Sequence, residues 1–378
     1  MSRIPNLVAL AAGGTGGHVF PASALAAEMV SRGWQVVFIT DRRGDAVGSM
    51  EDIPTYRVRA GGVAGKSLLG RLRSIPELAI GTLQARRVLK RLSPDVVIGF
   101  GGYASVPTMM AATWGTFRTG IHEQNAVLGR ANRLFARKVD KIAMSYSICR
   151  SVPADTEDKI VHTGMPVRPE IVNMREHAYP SLDAGAAINL LVLGGSQGAR
   201  ILSDVVPQAI GQLPEQLRSR VRIVQQCRQE DIARVRDAYG TMNVPAELSD
   251  FFSEMPARLA SAHLVISRAG ASSVAEVLAV GRPAVLVPYP HAVDDHQSAN
   301  AHAVAEGGAG WMMDQSVFTV ENLASRLNEI LSAEGLLERA AACAKRAGFA
   351  DAASRLADMV EGLPPTSGND HSQGRAAA

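Results

Sequence analysis

Two short stretches limit the fold more than anything else in these 378 residues. "VALAAGGTGGHVFPA" (8–22) is an apolar run, two glycine doublets and a histidine, leading into an alanine-rich segment with helical spacing that stops at Gly33. "INLLVLGGSQGARILSDVVPQAI" (188–210) repeats the plan, with Gly194 standing where Gly13 stands in the first copy. A strand-length apolar run, a glycine turn, a helix and a second apolar run ("WQVVFITD") make a βαβ unit, and such units build parallel sheets. Two such openings predict two similarly built α/β halves, and the length suits two domains. The Pro- and Gly-rich segment 164–187 reads as the linker. The expected division is 1–163, 164–345, a terminal helix over 346–362 and a disordered tail, 363–378.

Composition closes off several classes. Cys149, Cys227 and Cys343 are widely spaced with no CxxC pair, which argues against a disulfide framework or zinc site and fits a reducing cytosol. The first apolar run is too short for a signal peptide, and no run approaches the roughly 20 apolar residues of a membrane span. Charge is uneven: residues 1–163 carry 21 Lys+Arg against 12 Asp+Glu, and the remainder 18 against 24. The first half is therefore expected to meet something anionic, unless the imbalance is only solvated surface. Within it, Lys66–Leu92 interleaves seven basic residues with leucines and isoleucines and has one acid, Glu77. That pattern suits a basic amphipathic surface on anionic lipid, and equally an ordinary helix with one core face.

The glycine loops suggest anion binding. A helix N-terminus presents free N–H groups and partial positive charge, and glycines let an anion approach the backbone. A dinucleotide reading of the first loop is weak: Gly14 and Gly16 begin GxGxxG, but Val19 occupies the last glycine position, although Asp41 could hold a ribose. The block "SRAGASSVAEVLAVGRPAVLVPYP" (267–290) places small residues around Gly270 at a strand-to-helix turn. Glu276 in the following helix could accept from ribose hydroxyls or merely favour the helix dipole. "HAVDDHQSANA" (291–301) is too polar for a core strand and reads as a lining loop.

Taken with GGYASVP and HEQNAVLGRANR, these motifs closely resemble the MurG family over about residues 5–360. Its members attach N-acetylglucosamine to lipid-linked muramyl-pentapeptide. The resemblance implies a GT-B glycosyltransferase: two Rossmann-like domains facing across a cleft, the first binding lipid acceptor at the cytoplasmic face of the inner membrane, the second binding UDP-N-acetylglucosamine. It implies Thr15, Gly16 and Gly17 beside the donor sugar and diphosphate, Asn125 on a sugar hydroxyl, and Ser196 on the diphosphate. Arg168 resembles the family's donor-binding arginine, with a linker salt bridge as its other reading. Ala271, Ser272, Ser273, Val274, Ala275 and Glu276 would hold phosphates and ribose, Gln297 the sugar and Phe252 the uracil. Met165 departs from the family's usual Asn.

The family's donor is α-linked and its product β-linked, so one in-line displacement needs a base for the acceptor's C4 hydroxyl. His18, directly after the first loop, is the first candidate, because a neutral imidazole is basic at cytoplasmic pH. Glu123 is the second, and a capping or sugar-binding His18 is the third reading. The sequence has no DxD motif, so no metal or other cofactor is expected, and loop N–H groups, Ser196 and Arg168 would stabilise UDP. Expected partners are the two substrates, an anionic membrane surface and other cell-wall enzymes, with no nucleic acid. A UDP-sugar epimerase, a nicotinamide oxidoreductase and a nucleotide-sugar sensor are the rival classes.

Overall fold

The computed structural model describes residues 6–14, 16–41, 52–61, 68–183, 185–195 and 198–363, with backbone alone over 68–75. The chain divides into two units, 1–166 with 351–378, and 167–350. Strands of the first are β1 (Leu7–Ala11), β2 (Gln35–Thr40), β3 (Thr55–Arg57), β4 (Val96–Gly99), β5 (Arg118–Glu123), β6 (Lys141–Met144) and β7 (Ile160–His162). Its helices include α1 (Gly16–Ser31), α2 (Leu68–Leu92), α3 (Gly102–Thr113) and α4 (Arg130–Phe135). The strands form one parallel sheet in the order β3-β2-β1-β4-β5-β6-β7.

The second unit contains β8 (Ile188–Leu193), β9 (Val221–Gln226), β10 (Ala246–Ser249), β11 (Leu264–Ser267), β12 (Ala284–Leu286) and β13 (Gly310–Met312). Its helices are α5 (Pro169–Val172), α6 (Arg200–Gly211), α7 (Glu215–Arg218), α8 (Ile232–Thr241), α9 (Met255–Ser261), α10 (Ala271–Val280), α11 (His296–Glu306), α12 (Val320–Ser332) and α13 (Leu336–Ala347). The sheet order is β10-β9-β8-β11-β12-β13, again with parallel pairing. The last helix, α14 (Ala352–Glu361), belongs to the first unit.

The central strands of both sheets bury apolar residues on both faces, as helix-covered parallel strands must. Along β1, Val8 and Leu10 enter one core with α1 and α14, while Leu7, Ala9 and Ala11 enter the other with α2 and α3. The first strand of each unit lies where the sheet order reverses, between β2 and β4, and between β9 and β11. Ligands of open α/β sheets bind outside the strand C-termini at such reversals, and both glycine loops are there.

Two expectations need correction. Residues 167–176 are not free linker: Ile171 is buried in the second unit's core, and α5 packs on α10. The polar run 291–301 is not all loop, because α11 begins at His296. Asp294 and Asp295 take left-handed φ of 53° and 54° to turn the chain, and Asp295 Oδ1 accepts from Ser298 Oγ at 2.6 Å. Polarity in that run serves a helix start and a buried Asn300, which donates to Ala269 O at 3.0 Å.

The return of α14 rests on apolar burial of Leu356, Ala357 and Val360, and on Arg32 at the end of α1. Arg32 donates to Glu28 (2.8 Å), Asp358 (2.6 Å), Glu361 (2.8 Å) and Ser354 Oγ (2.7 Å). On α2, Ala85 and Leu89 are buried while Ile80 and Leu83 are 39% and 53% exposed. Arg86, Arg87, Lys90 and Arg91 are exposed as well. Helical spacing puts Ile80, Leu83, Arg87 and Lys90 on one outward face, so the helix has a core face and a basic, partly apolar solvent face. Lys66 and the side chains of Arg71 and Arg73 lie outside the described residues.

Candidate active site

In the first unit, β1 ends at Ala11 and α1 starts at Gly16, so Gly16, Gly17 and His18 form the first turn of α1 with N–H groups unpaired in the helix. Thr15 lies outside the described residues. His18 is half-buried against the turn that follows β4. A side chain at Gly102, φ +70°, would be strained and would press on the His18 ring, its Cβ 3.0 Å from Cδ2 and 3.3 Å from Nε2. His18 Nδ1 meets Gln124 Oε1 at 3.1 Å.

Gln124 belongs to the stretch after β5 that "HEQN" marks. Its Nε2 lies 3.1 Å from Phe100 O, 2.9 Å from His122 O and 3.0 Å from His122 Nδ1. His122 is fully buried, which pushes its pKa down to about 4, and its Nε2 faces Gly164 O at 3.2 Å. Glu123 is 2% exposed. Its Oε1 accepts from Asn125 N (3.0 Å) and Asn125 Nδ2 (3.1 Å), and its Oε2 from Gly129 N (2.8 Å) and Asn132 Nδ2 (2.8 Å). This buried carboxylate, with all four donors upon it, holds the 123–132 loop together. Asn125 stands half-buried beside it.

In the second unit, Gly194 and Gly195 follow β8, and Ser196 and Gln197 lie outside the described residues. A Cβ on Gly194 would fall 2.4 Å from Ala199 N, so the loop doubles back on its own backbone. Next to β8, β11 leads through Ala269 and the cap Gly270 into α10, whose first turn is Ala271, Ser272 and Ser273. Among the described residues, buried Ser272 Oγ has no hydrogen-bond partner. Val274 is buried in the core; Ala275 and Glu276 are partly buried on α10. Arg168 reaches Glu276 Oε1 with Nε at 3.1 Å and Nη2 at 2.9 Å. Burial raises the Glu276 pKa, and the Arg168 charge works against that rise. Two residues expected on different parts of a donor are thus paired with each other.

Gln297 Oε1 accepts from Tyr289 N at 2.9 Å, which fixes the turn after β12. Arg268 braces the same turn, donating to Val287 O (3.2 Å), Pro288 O (3.1 Å) and Gln315 Oε1 (2.6 Å). Phe252 does not present its ring: it is 7% exposed with the Arg258 guanidinium 4.3 Å from its centroid, whereas Phe251 is 74% exposed. The motif is short and its two aromatics alternate sides, so only one can face out. Met165 is buried, at 6% exposure.

Sequence reasoning missed Gln124, His122, Asn132, Arg268 and Asn300. All five sit inside motifs it singled out, "HEQN", "GRANR", "SRAG" and "HQSAN", where glycines and acids drew attention away from the three amides and from His122 and Arg268. Among the described residues, no three His, Cys, Asp or Glu side chains gather as a metal site.

Two Rossmann-like units, each opening on a strand, a glycine turn and a helix at its sheet reversal, are the architecture of the GT-B class. Residues 8–144 match the glycosyltransferase family 28 N-terminal domain and residues 189–356 its C-terminal domain. A UDP-N-acetylglucosamine–N-acetylmuramyl-(pentapeptide) pyrophosphoryl-undecaprenol N-acetylglucosamine transferase of Paramagnetospirillum magneticum is 55% identical over 366 residues, 97% of this chain and 99% of the relative. The Rhodospirillum rubrum protein of the same name is 52% identical over 94% of this chain and 92% of its own. Among solved structures, Acinetobacter baumannii MurG superposes with a TM-score of 0.78 at 31% identity, over 94% of this chain and 99% of that one. The chain belongs to the MurG family of N-acetylglucosamine transferases, and it is a hexosyltransferase.

Proposed function

We propose that this chain moves N-acetylglucosamine from UDP-N-acetylglucosamine to the C4 hydroxyl of undecaprenyl-pyrophosphoryl-N-acetylmuramyl-pentapeptide, converting lipid I to lipid II in peptidoglycan synthesis. The observation that carries this reading is His18, held in the first turn of α1 with Nδ1 engaged by Gln124 and with no side chain at Gly101 or Gly102 to crowd the ring. The acceptor O4 attacks the anomeric carbon, the bond from that carbon to the phosphate oxygen breaks, and UDP leaves with the electron pair. The O4 proton passes to His18, and the configuration inverts from α to β. Glu123 supports the loop that carries Asn125 and Gln124.

Donor recognition is assigned to the second unit. The N-terminus of α10 and the Gly194 loop with Ser196 take the diphosphate, Glu276 the ribose hydroxyls, and Gln297 the sugar. Arg168, paired with Glu276, supplies positive charge beside the phosphates. For the uracil, exposed Phe251 is better placed than Phe252. The outward face of α2 rests on anionic lipid at the cytoplasmic side of the inner membrane, as a peripheral contact. Among the described residues no helix is long and apolar enough to cross a membrane.

The test is UDP release from UDP-N-acetylglucosamine with and without the muramyl lipid. Acceptor-dependent release is expected; epimerised sugar, or binding without turnover, would refute the transferase reading. His18→Ala should depress kcat by about 10²–10⁴-fold with donor affinity little changed. Charge reversal at Arg86, Arg87, Lys90 and Arg91 should weaken binding to anionic vesicles, and unchanged binding would leave α2 as a core helix only.

A further inference from the structure

The hydrogen bonds behind His18 run in one direction. They start at Gly164 O, which can only accept, and His122 Nε2 lies 3.2 Å from it. That nitrogen therefore carries a proton. The His122 ring is wholly buried and stays neutral, so its Nδ1 keeps a lone pair. Gln124 Nε2 sits 3.0 Å from this Nδ1 and within 3.1 Å of two carbonyl oxygens, those of Phe100 and His122. Three acceptors around one amide atom require the NH2 group there, because the flipped amide would set oxygen against oxygen. Gln124 Oε1 then points to His18, 3.1 Å from Nδ1. An oxygen acceptor calls for an N–H, and a neutral imidazole has one.

We propose that Gln124, locked by His122 and the Phe100 and His122 carbonyls, is a positioning residue that fixes His18 as its Nδ1–H tautomer and so leaves Nε2 as the proton acceptor. The inference rests on the reading of His18 as general base. An unrestrained neutral histidine favours the opposite tautomer, with the proton on Nε2, and would present no lone pair at that nitrogen. The edge that carries Nε2 is the one kept clear by Gly102, where a Cβ would stand 3.3 Å from it. Gly164 adds a second consequence: the chain of donors is anchored at the last residues before the second unit, at a glycine with φ +75°.

The test uses the full chain labelled with 15N-histidine, with long-range 1H–15N spectra at pH 8 and the His18 signals assigned by their loss in His18→Asn. The wild-type protein should show a protonated Nδ1 and an unprotonated Nε2 at His18. In Gln124→Met, which keeps volume and removes the acceptor, the two should exchange roles. The kcat of that variant should fall roughly tenfold or more, part of the general-base contribution, with the KM for UDP-N-acetylglucosamine moving less than about twofold. A wild-type His18 protonated at Nε2 overturns the proposal without any variant. So does Gln124→Met retaining the Nδ1–H form or retaining wild-type kcat while His18→Ala is inactive. Turnover retained in His18→Ala would overturn the base reading itself, and the proposal with it.

Discussion

Replacing Glu123 by Gln separates a structural carboxylate from a catalytic one. Each Glu123 oxygen accepts two hydrogen bonds, one from a backbone N–H and one from a side-chain amide. Glutamine offers one oxygen and one NH2. The amide of Asn125 can rotate to meet an NH2, but the N–H of Asn125 or of Gly129 cannot, and Asn132 is held by a second bond from its Nδ2 to His122 O at 3.0 Å. Either orientation therefore strands one backbone donor at a site 2% exposed. A stranded buried donor costs about 1–3 kcal/mol, and exchanging charge-assisted bonds for neutral ones adds about 1 kcal/mol. A total near 3 kcal/mol lowers the melting temperature of a unit of this size by about 6–12 °C. Calorimetry on Glu123→Gln should show that loss in the first unit's transition, and kcat measured well below the new transition should fall by less than about tenfold. A variant that melts like the wild type and loses 10²-fold or more in kcat would refute the reasoning and make Glu123 the base.

Two further outcomes follow from buried or clustered charge. His122 has a folded-state pKa near 4 against an ordinary value of 6.5, so between those pH values the unfolded chain binds a proton that the folded chain refuses. Stability is present above pH 6.5 and lost as pH falls toward 4, by up to about 3 kcal/mol from this group. His122→Phe should show a shallower fall in melting temperature over that window, and an unchanged slope would count against the buried neutral ring. Arg32→Ala leaves Glu28, Asp358 and Glu361 facing one another, so amide exchange in α14 should quicken about tenfold, by weakening of the order of 1.4 kcal/mol. High salt should narrow the gap between variant and wild type through screening, and equal exchange rates would show that α14 is held by its apolar face alone.

The sheets were legible because a parallel strand buried on both faces writes a continuous apolar run, and β1, β2, β4, β8 and β11 each have one. The edges were less so: β3 and β13 are three residues long, too short for a period. The run from His291 misled because a helix start and a loop use the same small polar residues, and only the left-handed Asp294 and Asp295 decide between them. In the site, charged residues stood out by type while their partners did not. Arg168 and Glu276 are 108 positions apart, and nothing in either motif announces that they meet. Gln124 is the sharper case, since its role depends on which way an amide points, and that is set by carbonyls of Phe100 and His122 that no side-chain pattern records.

The two glycine loops follow one sequence plan and differ in how each enters its helix. Aligned from Gly13 and Gly194, His18 corresponds to Ala199, but the helices begin in different places. α1 starts at Gly16, so His18 is inside the first turn, its ring against Gly101 and Gly102. Ala199 is the cap of α6, extended at φ −135°, and α6 proper starts at Arg200. Beside that cap, Gly198 takes φ +66° and Gly194 lies too close to Ala199 N to carry a side chain, so backbone meets backbone where the first unit places the His18 ring. Backbone N–H groups at a glycine turn are what an anion cradle would use. The first loop enters its helix earlier, and that one change puts a side chain where the second loop has a backbone turn. A base must project beyond the backbone to reach a hydroxyl, whereas a phosphate is best met by the backbone itself. The earlier helix start is thus the structural difference on which a division of labour between proton transfer and leaving-group stabilisation would depend.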